Sequence, residues 1–181
     1  MYALSNNVVE LIFGDLSKVS FVVFKQKTLK EFEELNRFLN GSMCSKKNFK
    51  NSHPEYYQKK DFIQNFSSYE NDNGVSSKTP TVSILSHFDQ IMCSRCLSWI
   101  AELVHYLKLG KALDNFMCGW VFSILAKIQK PLLSHTQSYI SSILNYMLRT
   151  RDKILCYEDY KANNCLLLVI VFLFDMNFSK M

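Results

Sequence analysis

Between Thr79 and Phe174 apolar residues recur every three or four positions, and that period constrains the fold more than any other feature of the chain. A strand buries alternate residues and a helix buries one stripe, so this stretch is expected to be a stack of helices. Val82, Leu85 and Phe88 follow Thr79-Pro80, a cap residue before a first-turn proline. Met92, Cys96, Trp99, Ile100, Leu103, Val104 and Leu107 are the stripe of the next helix, closing near Gly110. Another starts around Asp114 with Phe116, Met117, Trp120, Val121, Ile124, Leu125 and Ile128, and Pro131 ends it. Ser134-His-Thr-Gln137 has the Ser-x-x-Gln form of a capping box, with Ile140, Ile143, Leu144 and Met147 as the stripe behind it. The last helix covers about Ala162 to Phe174, and short connections favour antiparallel neighbours.

Upstream, Leu11, Ile12, Leu16, Val19, Val23, Phe32, Leu35 and Phe38 trace one long amphipathic helix from Val8 to about Leu39, closed by Asn40-Gly41 as a left-handed cap. Phe13, Phe21, Val22 and Phe24 fall off that stripe, leaving apolar surface that the bundle, the following insertion or a partner helix could cover. Residues 42–78 shift to Ser, Asn, Lys and Asp and read as a mobile, lysine-rich insertion. Within it a short helix around Tyr56 to Phe66 could dock back through Tyr57, Phe62 and Phe66. The chain is therefore expected to be all-α: a long N-terminal helix (1–41), the polar insertion (42–78) and a helical bundle (79–181). Its 181 residues, with only 5 Gly and 3 Pro against 14 Phe and 9 Tyr, suit one core and exclude disordered and turn-rich all-β chains.

The chemistry the sequence offers is sparse. Cys93-Ser-Arg-Cys96 has chelating spacing, but zinc needs about four ligands and no second such pair or His-x-His accompanies it, so no metal is expected. Cys44, Cys93, Cys96, Cys118, Cys156 and Cys165 read as reduced thiols, several on apolar helical stretches. His53, His87, His105 and His135 lie outside any nucleophile motif, and the glycines at 14, 41, 74, 110 and 119 never cluster into a phosphate loop. No catalytic residue and no cofactor are expected. The apolar run Cys165 to Phe174 is half the length of a bilayer span of about 20 residues, so no membrane association is expected. No signal sequence is legible at Met1-Tyr-Ala-Leu-Ser-Asn-Asn, which points to cytoplasm or nucleus. The net charge of +5 is too dilute for a dedicated nucleic-acid binder. An RNA-associated adaptor is nonetheless the alternative reading, because Lys46 to Lys60 interleaves lysines with Phe49, Tyr56 and Tyr57, which could stack on bases.

Gly119-Trp-Val-Phe-Ser-Ile-Leu-Ala-Lys-Ile-Gln-Lys-Pro-Leu-Leu133, then Ser138-Tyr-Ile and a Leu-rich helix closing in Phe174-Asp175-Met-Asn-Phe178, resembles the gemin-two family of survival-of-motor-neuron-interacting proteins. Pro80-Thr-Val-Ser-Ile-Leu-Ser-His-Phe-Asp89 and Leu97-Ser-Trp-Ile are similar to that family's proline-led helix and the helix after it. The resemblance covers about Pro80 to Phe178, with Trp120 and Lys130-Pro131-Leu132-Leu133 its most specific elements, and extends more loosely to Leu16 to Lys27.

The resemblance implies a non-enzymatic, all-helical scaffold in spliceosomal snRNP (Sm core) assembly, cytoplasmic and nuclear. It would bind a helix of the survival-of-motor-neuron protein and Sm proteins, and meet RNA only through the Sm core. By similarity the partner helix would lie along Leu16, Val19, Val23 and Gln26 of the first helix. It would also lie along Gly119, Trp120, Ser123 and Lys127. Two departures stand out. Gly119 occupies the position where the family usually has an arginine suited to a partner carboxylate, with Lys127 or Lys27 as candidate substitutes. The family's N-terminal arm, which wraps Sm proteins, is not expected here, because the sequence begins too late to contain it.

Overall fold

The computed structural model describes residues 18–41, 56–66, 80–107 and 111–178, and every regular element among them is helical. They are α1 (Lys18–Gly41), α2 (Lys59–Phe66), α3 (Val82–Ser86), α4 (Gln90–Tyr106), α5 (Asn115–Lys127), α6 (Ser134–Thr150) and α7 (Tyr157–Phe178), with a 3-10 turn at Arg151–Lys153. The predicted all-α class and the long N-terminal helix packed on a bundle are both present. Residues 1–17 and much of 42–78, including Cys44 and Lys46 to Lys50, lie outside the described residues, as does the cap expected at Gly110.

The centre is α5, because its sequence leaves it almost no polar side: nine of its 13 residues are buried. It packs against α1, α2, α3, α4 and α7. Side-chain bonds fix the directions. Gln90, at the start of α4, donates from Nε2 to the Lys127 carbonyl at the end of α5 (3.1 Å), so those two run antiparallel. Asp159 of α7 accepts from the Asn115 N–H (2.6 Å) and Asn163 donates to Leu113 O (2.7 Å), so α5 and α7 start together and run the same way. Ser94 and Thr136 hydroxyls meet at 2.9 Å near the starts of α4 and α6, which share the opposite direction. From α4 to α7 consecutive helices thus alternate, as the short joints predicted.

Caps explain the starts. Asp89 accepts from the Met92 N–H (2.7 Å) and Asp114 from the Met117 N–H (2.8 Å), each satisfying an orphan donor. The α3 cap is Thr81, accepting from Ile84 N–H at 3.3 Å, two residues beyond the predicted Thr79. Ser134 is not a capping residue either. It is already the first helical residue, its predecessor Leu133 offers no side-chain acceptor, and Gln137 donates to Leu132 O instead of reaching back to a cap N–H. The helix at the C-terminus begins five residues earlier than predicted, at Tyr157, where Glu158 and Asp159 suit the positive end of its dipole.

The insertion docks where its aromatic residues allow. Tyr56, Phe62 and Phe66 are buried, Phe62 stacked on Phe66 (6.0 Å between ring centroids) and set against Trp99 (5.5 Å) and Trp120 (5.7 Å). Tyr57, predicted to share that face, is only half-buried, and the neighbouring Tyr56 takes its place against Phe88 and Trp120.

Candidate functional site

α1 has an inner and an outer face, and its inner stripe is offset from the one predicted. Thr28, Phe32 and Leu39 are buried with Phe24 and Leu35 partly so, whereas Val23 and Phe38, expected on the stripe, face solvent. At 100° per residue Val23 and Phe38 lie away from the Thr28–Phe32–Leu39 line, and the hydroxyl of Thr28 makes burial tolerable by meeting Cys165 Sγ of α7 at 3.7 Å.

Two contacts set the register of α1 on α5. Phe32 meets Phe122 edge-on at 5.5 Å, and Asn36 Nδ2 donates to the Ala126 carbonyl at 2.7 Å, so the helices run side by side in the same direction. Their C-terminal ends are locked together: Asn40 also donates toward Ala126 O (3.4 Å), and the buried Lys127 ammonium donates to Leu39 O. Side chains therefore satisfy carbonyls of the last turns, and Gly41 closes α1 without the left-handed conformation expected of it. The start of α1 and the start of α5 consequently lie at one end of the bundle.

At that end Val22 and Val23 are 49% and 59% exposed, and Gln26 lies one turn on, also exposed. Two adjacent exposed valines flanked by Gln26 and by Lys27, itself 4.0 Å from Glu31, make an apolar spot with a polar rim. Leu16 lies outside the described residues, and Val19 is placed by its backbone in the first turn of α1.

The α5 residues of the predicted site are placed differently. Trp120 is 0% exposed, roofed by Tyr56 (6.0 Å) and Phe62 (5.7 Å), and Ser123 and Lys127 are buried as well. Val23 and Gln26 thus share an open face while Trp120, Ser123 and Lys127 are enclosed by the chain itself. Gly119 is half-buried, and a Cβ there would meet nothing within 4 Å, so packing does not require glycine at this position. Sequence reasoning missed the Asn36, Asn40 and Lys127 lock; the Asn pair four apart on α1 was its one visible sign.

The alternative RNA surface loses part of its apparatus. Tyr56 is buried and cannot stack on a base, and Lys59 is paired with Glu102 of α4.

Cys93 and Cys96 sit side by side on α4, both buried. Burial pushes the Cys93 thiol up to about 12, with nearby Lys127 opposing the rise. Burial and the adjacent Cys93 raise Cys96, and burial chiefly raises Cys118. Among the described residues no group of three or more His, Cys, Asp or Glu is placed to hold a metal ion. A thiol reagent at mildly alkaline pH is expected to label the exposed Cys156 rapidly and Cys93, Cys96 and Cys118 only on unfolding, read by mass spectrometry of the labelled peptides. Because the folded thiols titrate above their unfolded values, stability should be full below the ordinary thiol range and fall as pH rises from about 9 toward 12.

No described helix is long and apolar enough to cross a membrane. None of the curated proteins compared with the chain matches it. A family model described as Survival motor neuron (SMN) interacting protein 1 matches residues 14–175.

Proposed function

This chain belongs to the Survival motor neuron (SMN) interacting protein 1 family, and on that premise we propose that it is a non-enzymatic scaffold of snRNP assembly that holds a helix of SMN against the start of α1. The supporting observation is the Val22–Val23 spot with Gln26, exposed at the end where α1 and α5 start together. An amphipathic helix laid there covers both valines, and each square ångström of apolar surface removed from water contributes about 25 cal/mol. The family resemblance adds Leu16 and Val19 to the residues proposed to meet the partner, and Gly119 leaves open the space where a larger side chain would stand.

Trp120, Ser123 and Lys127 serve this reading from inside. Trp120 holds α5 to α2 and Lys127 holds it to α1, which sets the position of the valines. Engagement of Sm proteins, with RNA met only through the Sm core, and a cytoplasmic and nuclear residence belong to the same proposal.

Calorimetry with a synthetic SMN helix peptide tests it. Wild type should bind at micromolar strength or better, and Val23→Asp should weaken binding about 100-fold, roughly 2.7 kcal/mol, because the new carboxylate is desolvated under the peptide without a partner. The melting temperature should be unchanged, since Val23 is exposed in the free chain. Equal affinity of the two proteins would reject the α1 surface.

A further inference from the structure

A second open surface lies between the first turns of α4 and the connection from α5 to α6, away from the start of α1. It is a groove of about 630 Å³, lined among others by Ile91, Arg95, Lys130, Leu133, His135 and Tyr139. Three properties define what it can hold.

Its apolar members are uncovered: Ile91 and Leu133 are 71% and 62% exposed, high values for side chains of that size. Its charged members, Arg95 and Lys130, have one sign, the Lys130 ammonium standing 5.5 Å over the Phe172 ring, and among the described residues no carboxylate lines it. Its walls are held in place. Gln90 donates to Lys127 O (3.1 Å) and accepts from the Gln129 N–H (2.8 Å), pinning the connection, and the Ser94–Thr136 hydroxyl pair ties α4 to α6 across the floor. A surface already rigid in the free chain loses little entropy on binding.

We propose that this groove docks an acidic protein segment anchored by an apolar side chain. The apolar side chain seats on Ile91 and Leu133, and flanking carboxylates meet Arg95 and Lys130. The start of α6 carries the positive end of that helix's dipole, a field of the same sign, and no side chain caps it. A single-stranded nucleic acid would want a run of open aromatic faces. Among the described residues Tyr139 is the one aromatic ring of the phenylalanine, tyrosine or tryptophan type lining the groove, and it stands edge-on to His135 at 6.0 Å.

Fluorescence anisotropy on the full chain tests the proposal, using a short labelled peptide with paired leucines between aspartates. Arg95→Glu and Lys130→Glu should each weaken binding at least tenfold, as should replacing the peptide's aspartates by lysines, and added salt should weaken it further. Both side chains are exposed, and a circular dichroism melt confirms that each variant is folded. Val23→Asp should leave this binding intact, so failure here and failure of the α1 surface are separate results. The proposal is overturned if the wild type does not bind the peptide, if the charge-reversed variants bind it equally, or if a single-stranded RNA oligomer binds more tightly.

Discussion

Replacing Phe62 by alanine is expected to lower the stability of the folded chain by about 3–5 kcal/mol, the cost of emptying a fully buried phenylalanine site. Domains of this kind are stable by only about 5–15 kcal/mol, so the change removes a large share. Phe62 has no exposed surface and touches Phe66, Trp99 and Trp120, joining α2 to α4 and α5 at once. Lys59 of α2 also pairs with Glu102 of α4, but those side chains are about half exposed and the pair contributes little. Urea unfolding should show a lower midpoint at unchanged slope, with the exposed Lys60→Ala on the same helix within about 0.5 kcal/mol of wild type. A loss under about 1 kcal/mol would mean that α2 rests on the bundle without belonging to its core. The prediction also bears on experiment design: excising residues 42–78 to probe RNA contact would remove Tyr56, Phe62 and Phe66 from that core, whereas substituting exposed lysines leaves it whole.

How much of this was legible in the sequence follows from what each signal measures. Apolar period reports which residues face inward and located α4 and α6, whereas α5 and the body of α7 are apolar on nearly every side and showed as dense apolar runs. It was ambiguous on α1, where Thr28 and Leu39 are buried while Val23 and Phe38 are not, since a hydroxyl bonded to Cys165 can occupy an inward position. Cap residues report a start only when the backbone turns at that residue. Asp114 does so, and Ser134 is one residue too late to do so. The lock between α1 and α5 was not legible. Asn36, Asn40 and Lys127 bond to main-chain carbonyls 86 to 90 residues away, and no side-chain pattern marks a carbonyl as a partner.

The family was legible from Gly119 to Leu133 and its neighbours, a stretch inside the matched residues 14–175. Its residue-level surface was less so. The same Trp120 that carries the resemblance is enclosed here by Tyr56 and Phe62, from a segment the resemblance did not cover.

Trp120 and Val23 should consequently fail in opposite ways. Trp120→Ala is expected to cost about 3–5 kcal/mol of stability through the cavity left between α5 and α2. In a calorimetric titration with the SMN helix peptide it should reduce the fraction of molecules that bind, leaving the affinity of the folded remainder near wild type. Val23→Asp should do the reverse, with full folding and an affinity about 100-fold lower. Trp120→Phe separates the two roles more sharply, since a ring of intermediate size keeps most of the contact with Tyr56 and Phe62 and most of the stability. If peptide affinity collapses in Trp120→Phe while its urea midpoint stays near wild type, the indole touches the partner directly, and segment 56–66 must move aside to admit it. If affinity is retained, Trp120 acts only by fixing where α5 stands, and the recognition surface is the open face of α1.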